Sequence, residues 1–207
     1  MKLYYSPKTI SPAIAIALYE AGIEFSAQKI DFANAEQQSE NYKKINPKAR
    51  VPALETQGVT LSETGSMLEY IASLTPEKNL MPTDPLQRAQ ARQIMYYFAS
   101  TMHINHAHKL RGYRWTKNQS SWDDMLAMVP ETMNAACAYL EESIFSDEGI
   151  FLLGQDFSVV DCYFAAISQW LEGDGVNSAD YPSIARWQQA MAQRDSVKRV
   201  YAEGYFG

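Results

Sequence analysis

The apolar positions of this 207-residue chain change their period once, near residue 85. Before that point short alternating runs intervene between helical ones. Lys2-Leu3-Tyr4-Tyr5 reads as a first strand, and Pro12 suits the first position of a helix whose apolar face continues through Ile14, Ala17, Leu18 and Ala21 to a stop at Gly22. Alternation from Phe25 to Phe32 predicts a second strand. Val51 to Glu55 and Val59 to Leu61 flank Gln57-Gly58 as a hairpin, and Ser66 to Leu74 predicts a helix with Met67, Leu68 and Ile71 turned inward.

Between Thr75 and Pro85 three prolines (Pro76, Pro82, Pro85) and no periodicity mark a linker. Beyond it the pattern is helical: Leu86 to about Arg114, Trp122 to Phe145, Ser158 to Leu171, Pro182 to Arg194, and a short segment near Val197. Ser158 with Asp161 reads as a capping box at the start of a buried helix. The expected architecture is a thioredoxin-like α/β domain (βαβ then ββα, residues 1–75), a linker (76–84) and an all-α bundle (85–207).

Composition narrows the function classes. A formal net charge of -6 and 46% hydrophobic residues describe an acidic globular chain with enough apolar mass for a normal core. Nucleic acid and anionic membrane surfaces need basic patches, so neither is an expected partner. Cys137 and Cys162 are the only cysteines, far apart within apolar helical patterns, which leaves no disulfide framework or zinc site and fits a reducing cytoplasm. The longest uncharged apolar run, Cys162 to Leu171, is about half of the roughly 20 residues a membrane span needs.

The chemistry concentrates at Asn46-Pro47-Lys48-Ala49-Arg50-Val51-Pro52-Ala53-Leu54, followed by Glu63-Thr64-Gly65-Ser66. A proline entering a strand cannot donate to a sheet ladder, so the edge at Val51-Pro52 is free for something else. With a cis bond there, the backbone of Val51 would pair with an extended ligand as another strand does. Glu63 offers a carboxylate to an ammonium, and Thr64 offers a hydroxyl and a helix-start N–H to a carboxylate. A small peptide with both ends charged suits that set.

At these residues the chain resembles the glutathione S-transferase superfamily, and its opening Met1 to Pro7 with Ser11 resembles the bacterial beta-class branch. The Phe157–Asp161 and Tyr181–Trp187 stretches extend the resemblance over nearly the whole chain. It implies glutathione as co-substrate, a small electrophile as second substrate, a homodimer and no metal. Beta-class enzymes carry a cysteine where this chain has Ile10, so protein-thiol chemistry is not implied.

The resemblance leaves several groups as candidates for activating the glutathione thiol. Ser11, before Pro12, reads either as a helix N-cap accepting from Ala13 or Ile14, or as a donor to a thiolate, roles one hydroxyl can combine. Ionising a thiol of pKa ~8.5 at neutral pH needs about 2.7 kcal/mol. One hydrogen bond to a charge supplies about 1.5–3 kcal/mol and a helix terminus about 0.3–1 kcal/mol. Tyr5 and Thr9 rank behind Ser11. His103 and His106 share a helix face, and the resemblance implies that one faces the sulfur, with His106 the preferred candidate. Arg50 is either an anchor or a solvated charge, and Lys109, Arg111, Tyr113, Arg114 and Trp115 line either a co-substrate cleft, a dimer cleft or a solvated helix end. A glutathione-dependent isomerase and a non-catalytic carrier are the rival readings, the first favoured by Arg111 and Arg114 in the pocket.

Overall fold

The computed structural model describes residues 1–145 and 149–207. Strands β1 (Lys2–Tyr5), β2 (Ser26–Lys29), β3 (Ala53–Thr56) and β4 (Val59–Leu61) form one mixed sheet in the order β2-β1-β3-β4. Strands β1 and β2 run parallel because helix α1 (Pro12–Glu20) makes the crossover, whereas β3 is antiparallel to both β1 and β4. Gln57 and Gly58 both have positive φ, 48° and 78°, which gives the two-residue hairpin loop its twist. Strand β2 is shorter than the Phe25–Phe32 alternation predicts, since pairing ends at Lys29 where its partner β1 ends. Helix α2 (Glu40–Ile45) went unseen in the sequence because Tyr42 is its one buried residue and leaves no period to read.

Helix α1 is apolar on every side, and Pro12 to Leu18 are all buried. It packs between α3 (Thr64–Leu74) and a helix of the second half, α7 (Val159–Ser168). One core therefore runs from Leu3, Ile14 and Leu68 through to Phe98 and Phe164.

The long helix predicted from Leu86 is real in extent but not in winding. Asp84 caps α4 (Pro85–Tyr97) by accepting from the N–H groups of Leu86 and Gln87. The chain then passes through a π-helical turn at Phe98–Met102 into α5 (His103–Arg111) and a 3-10 turn at Gly112–Arg114. A wider turn rotates the helix face that follows it. Helix α6 (Gln119–Tyr139) likewise ends in a π-helical turn, Leu140–Ile144, and α8 (Pro182–Gln193) and α9 (Asp195–Ala202) complete the bundle. The capping box of α7 forms as expected, with Asp161 fully buried and accepting from Ser158, the Leu152 N–H and Trp187 Nε1.

The end of α7 also shapes the loop after β1. Gln169 Nε2 donates to the carbonyl of Thr9 at 2.9 Å and Trp170 Nε1 to that of Lys8 at 3.2 Å. Tyr205 adds its carbonyl to the Lys8 N–H and stacks its ring on Tyr5 at 4.1 Å.

Candidate active site

The motif at residues 46–52 folds as a stapled turn. Asn46 is buried; its amide donates to the Arg50 carbonyl at 2.7 Å, while its side-chain oxygen accepts from the Lys48 N–H. Tyr42 Oη donates to the same Arg50 carbonyl at 2.8 Å. With Arg50 held from two sides, Val51 stands just ahead of β3, outside the β1–β3 register, and the Val51–Pro52 bond is cis.

Glu63 occupies the position before α3 with φ +70° and ψ 115°, a region that costs a non-glycine residue about 1–3 kcal/mol and that clusters at functional sites. Its carboxylate meets Lys48 Nζ at 2.5 Å and remains largely in solvent. Glu63 makes no side-chain cap hydrogen bond to α3, so the N–H groups of its first turn, starting with buried Thr64, present the positive end of the helix.

These residues make one wall of a cleft of about 320 Å³ between the two halves of the chain. Ala99, His103 and Ala107, spaced by four along the π turn and α5, make the facing wall, with Arg114 and Trp115 beside them. Ile10 and Tyr163 join the lining, and burial raises the Tyr163 hydroxyl to about 12, opposed by a hydrogen bond with Thr64. A larger cavity of about 920 Å³ lies between the linker, α4 and the chain before α7. It holds none of the site candidates read from the sequence.

The electrostatics of the facing wall are one-sided. Burial, then Arg111, His106, Arg114 and Arg50, push His103 down to about 3, so its imidazole is neutral at ordinary pH. A neutral ring retains one N–H donor and one acceptor. Burial and Arg114 likewise lower Arg111.

The sequence candidates divide accordingly. Arg50, Val51, Pro52, Glu63, Thr64, His103 and Trp115 come together in the cleft. Ser11 does not: it is fully buried and caps nothing with its side chain, correcting the expected N-cap. Thr9 Oγ1 donates to the Ser6 carbonyl at 2.7 Å, which spends its proton, so the 2.8 Å contact with Ser11 Oγ has Ser11 as donor. His106 is not among the cleft lining. Its Nδ1 lies 2.7 Å from Asp174, and its ring stacks on Trp170 at 4.0 Å, which leaves His103 as the histidine of the cleft. Tyr5 packs flat on Tyr205 and is not among the cleft lining.

Lys48, Tyr163 and the staple by Asn46 and Tyr42 were not foreseen as site features. Tyr163 sits in an apolar helical run that gives no cue, whereas the Asn46-to-Arg50 spacing of four could have revealed the staple. Among the described residues no three metal-ligating side chains converge, and no helix is long and apolar enough to cross a membrane.

Comparison with known proteins identifies the scaffold. The family model for the glutathione S-transferase N-terminal domain matches residues 1–73, and that for the C-terminal domain matches residues 92–195. A crystal structure of a glutathione transferase homologue from Sulfitobacter, with bound glutathione, is 49% identical, covers 99% of this chain and 98% of that one, and superposes with a TM-score of 0.95. Glutathione S-transferase GstA of Escherichia coli O157:H7 is 26% identical over 99% of both chains. Rat maleylacetoacetate isomerase is 26% identical over 90% of this chain and 85% of its own length. With a stapled turn, a free strand edge and an open helix start on the scaffold those matches describe, the chain belongs to the glutathione S-transferase family.

Proposed function

We propose that this protein conjugates the thiolate of glutathione to small electrophiles of largely apolar character. The observation that carries the reading is the pairing, across one cleft, of Val51, Glu63 and the open start of α3 with a wall that holds a neutral histidine. The backbone of Val51 takes the cysteinyl unit as an added strand. Glu63 accepts from the γ-glutamyl ammonium, and the first turn of α3 with Lys48 takes the adjacent carboxylate. The sulfur then points toward Ile10 and His103.

The nucleophile is the bound tripeptide's own cysteine, and the protein supplies position and charge stabilisation. The thiol proton leaves to solvent. An N–H of His103 donating to the sulfur supplies about 1.5–3 kcal/mol and the start of α1 about 0.3–1 kcal/mol, which together meet the roughly 2.7 kcal/mol that ionisation needs. Arg50 and Arg114 add favourable potential. Thr9 and Tyr5 shape the loop under the sulfur, and Trp115 offers a flat apolar surface to the electrophile. The functional unit is a two-part chain divided at the 76–84 linker, working as a cytoplasmic homodimer.

Turnover of 1-chloro-2,4-dinitrobenzene with glutathione, together with ultraviolet titration of the bound thiolate, tests this. Conjugation with a thiolate midpoint near or below neutrality supports it. Glutathione binding without a lowered midpoint or turnover gives the site to a carrier. A second reading, isomerisation of an unsaturated acid by reversible thiolate addition, draws on the Arg111–Arg114 pair and on the isomerases among the relatives. Geometric conversion of such an acid without net glutathione consumption identifies it.

A further inference from the structure

Arg111 carries a half-buried guanidinium. Its Nε and Nη2 are buried and meet no hydrogen-bond acceptor among the described residues. Of the groups that act on it at a distance, Arg114 and Arg50 repel it while Tyr113 and Asp174 favour its charge, and the carboxylate of Asp174 is already engaged by His106 and Lys109. A buried guanidinium left unpaired is costly, and sites that keep one use it on an anion.

Its position says which site that is. Ala99, His103 and Ala107 line the cleft at a spacing of four, and Arg111 is the next residue of that series, one turn before the cleft residues Arg114 and Trp115. Arg50, on the opposite wall, acts on both His103 and Arg111. Glu63, a carboxylate of the cleft, is paired with Lys48. That pairing leaves Arg50, Arg111 and Arg114 as a surplus of guanidinium around the cleft, with the indole of Trp115 next to Arg114.

We infer that the electrophilic co-substrate carries a carboxylate, seated on the Arg111 and Arg114 guanidinia against Trp115, with its reacting carbon turned toward His103 and the thiolate. This rests on the transferase reading above. The carboxylate chemistry could also be met by the glycyl end of glutathione. The flat indole beside the two cations fits a conjugated or aromatic acid better than a flexible glycyl terminus, and the test separates the two.

The probes are 4-chloro-3-nitrobenzoate and 4-chloro-3-nitrobenzamide, which share a reacting centre and differ in charge. In both, the thiolate sulfur bonds to the ring carbon bearing chlorine, the nitro group holds the electron pair, and chloride leaves as the C–Cl bond breaks. The wild type prefers the benzoate. Arg111→Met lowers the benzoate-to-benzamide ratio of kcat/KM by about 10- to 100-fold, the span of one hydrogen bond to a charge. Arg114→Gln lowers it in the same direction. Because Arg111→Met also removes two buried guanidinium nitrogens that have no acceptor, its melting temperature rises by about 2–4 °C, unlike that of a variant that merely damages the fold.

A rise in the KM for glutathione with an unaltered benzoate-to-benzamide ratio overturns the inference and gives Arg111 to the glycyl carboxylate. A wild type that conjugates the benzamide but not the benzoate overturns the inference and leaves the transferase reading intact. A wild type that conjugates neither overturns both.

Discussion

The hydroxyls of Thr9 and Ser11 lie 2.8 Å apart, and the proton between them belongs to Ser11 because that of Thr9 is already given to the Ser6 carbonyl. The loop after β1 is thereby closed by its own side chains, with Ser11 turned into the core.

Ser11→Ala therefore tests a structural role. It removes one buried hydrogen bond, for a loss of about 0.5–1.5 kcal/mol in a urea titration. The thiolate midpoint of bound glutathione, read by ultraviolet absorbance, stays where it is. A rise of about one pH unit would mean that Ser11 turns to the sulfur when the tripeptide binds.

Glu63→Gln keeps the shape of the side chain and removes its charge, so it separates the ammonium contact from packing. Isothermal titration should show glutathione binding weakened by about 1.5–3 kcal/mol. Equal affinity in a folded variant takes Glu63 out of the site.

The depressed His103 gives the protein an acid-side weakness. Its folded pKa is about 3 against 6.5 for a free histidine, so between those values the unfolded chain binds the extra proton and stability falls as pH falls. This one group contributes a slope of about 1.4 kcal/mol per pH unit across that window and nothing above it. Urea midpoints of wild type and His103→Phe, compared at pH 4, 5 and 7, should diverge in the variant's favour as the pH drops. Parallel profiles would show that His103 protonates in place.

Asp161→Ala strips the acceptor from four donors at once: the Leu152 and Ser158 N–H groups, the Ser158 hydroxyl and the Trp187 indole. Each buried donor left unpaired costs about 1–3 kcal/mol, so the loss should exceed about 4 kcal/mol in a denaturation curve. A variant within about 1 kcal/mol of wild type would mean that solvent replaces the carboxylate.

The fold was legible where period and punctuation coincide. Pro12 and Gly22 bracket α1, Gln57-Gly58 closes the hairpin, and Ser158 with Asp161 opens α7, because in each case a local backbone demand selects the residue. The cleft wall from Arg50 to Thr64 was legible for the same reason. The bonding of Ser11 and the identity of the cleft histidine were not. Which side chain near Ser11 turns outward depends on where a single proton goes, and which histidine reaches the cleft depends on a π turn at Phe98–Met102 and on the claim of Asp174 upon His106. Those are choices among long-range partners, and the distance of 68 residues between His106 and Asp174 leaves no mark in a local pattern.

Gln169 and Trp170 hold the carbonyls of Thr9 and Lys8 from the far half of the chain. The loop after β1 is therefore moulded by a segment from the other half of the chain. Exchanging C-terminal halves between transferases would accordingly alter more than electrophile preference. A graft lacking an amide and an indole at those two positions would leave both carbonyls without these donors, and the retained N-terminal half would lose two of the bonds that shape the loop after β1.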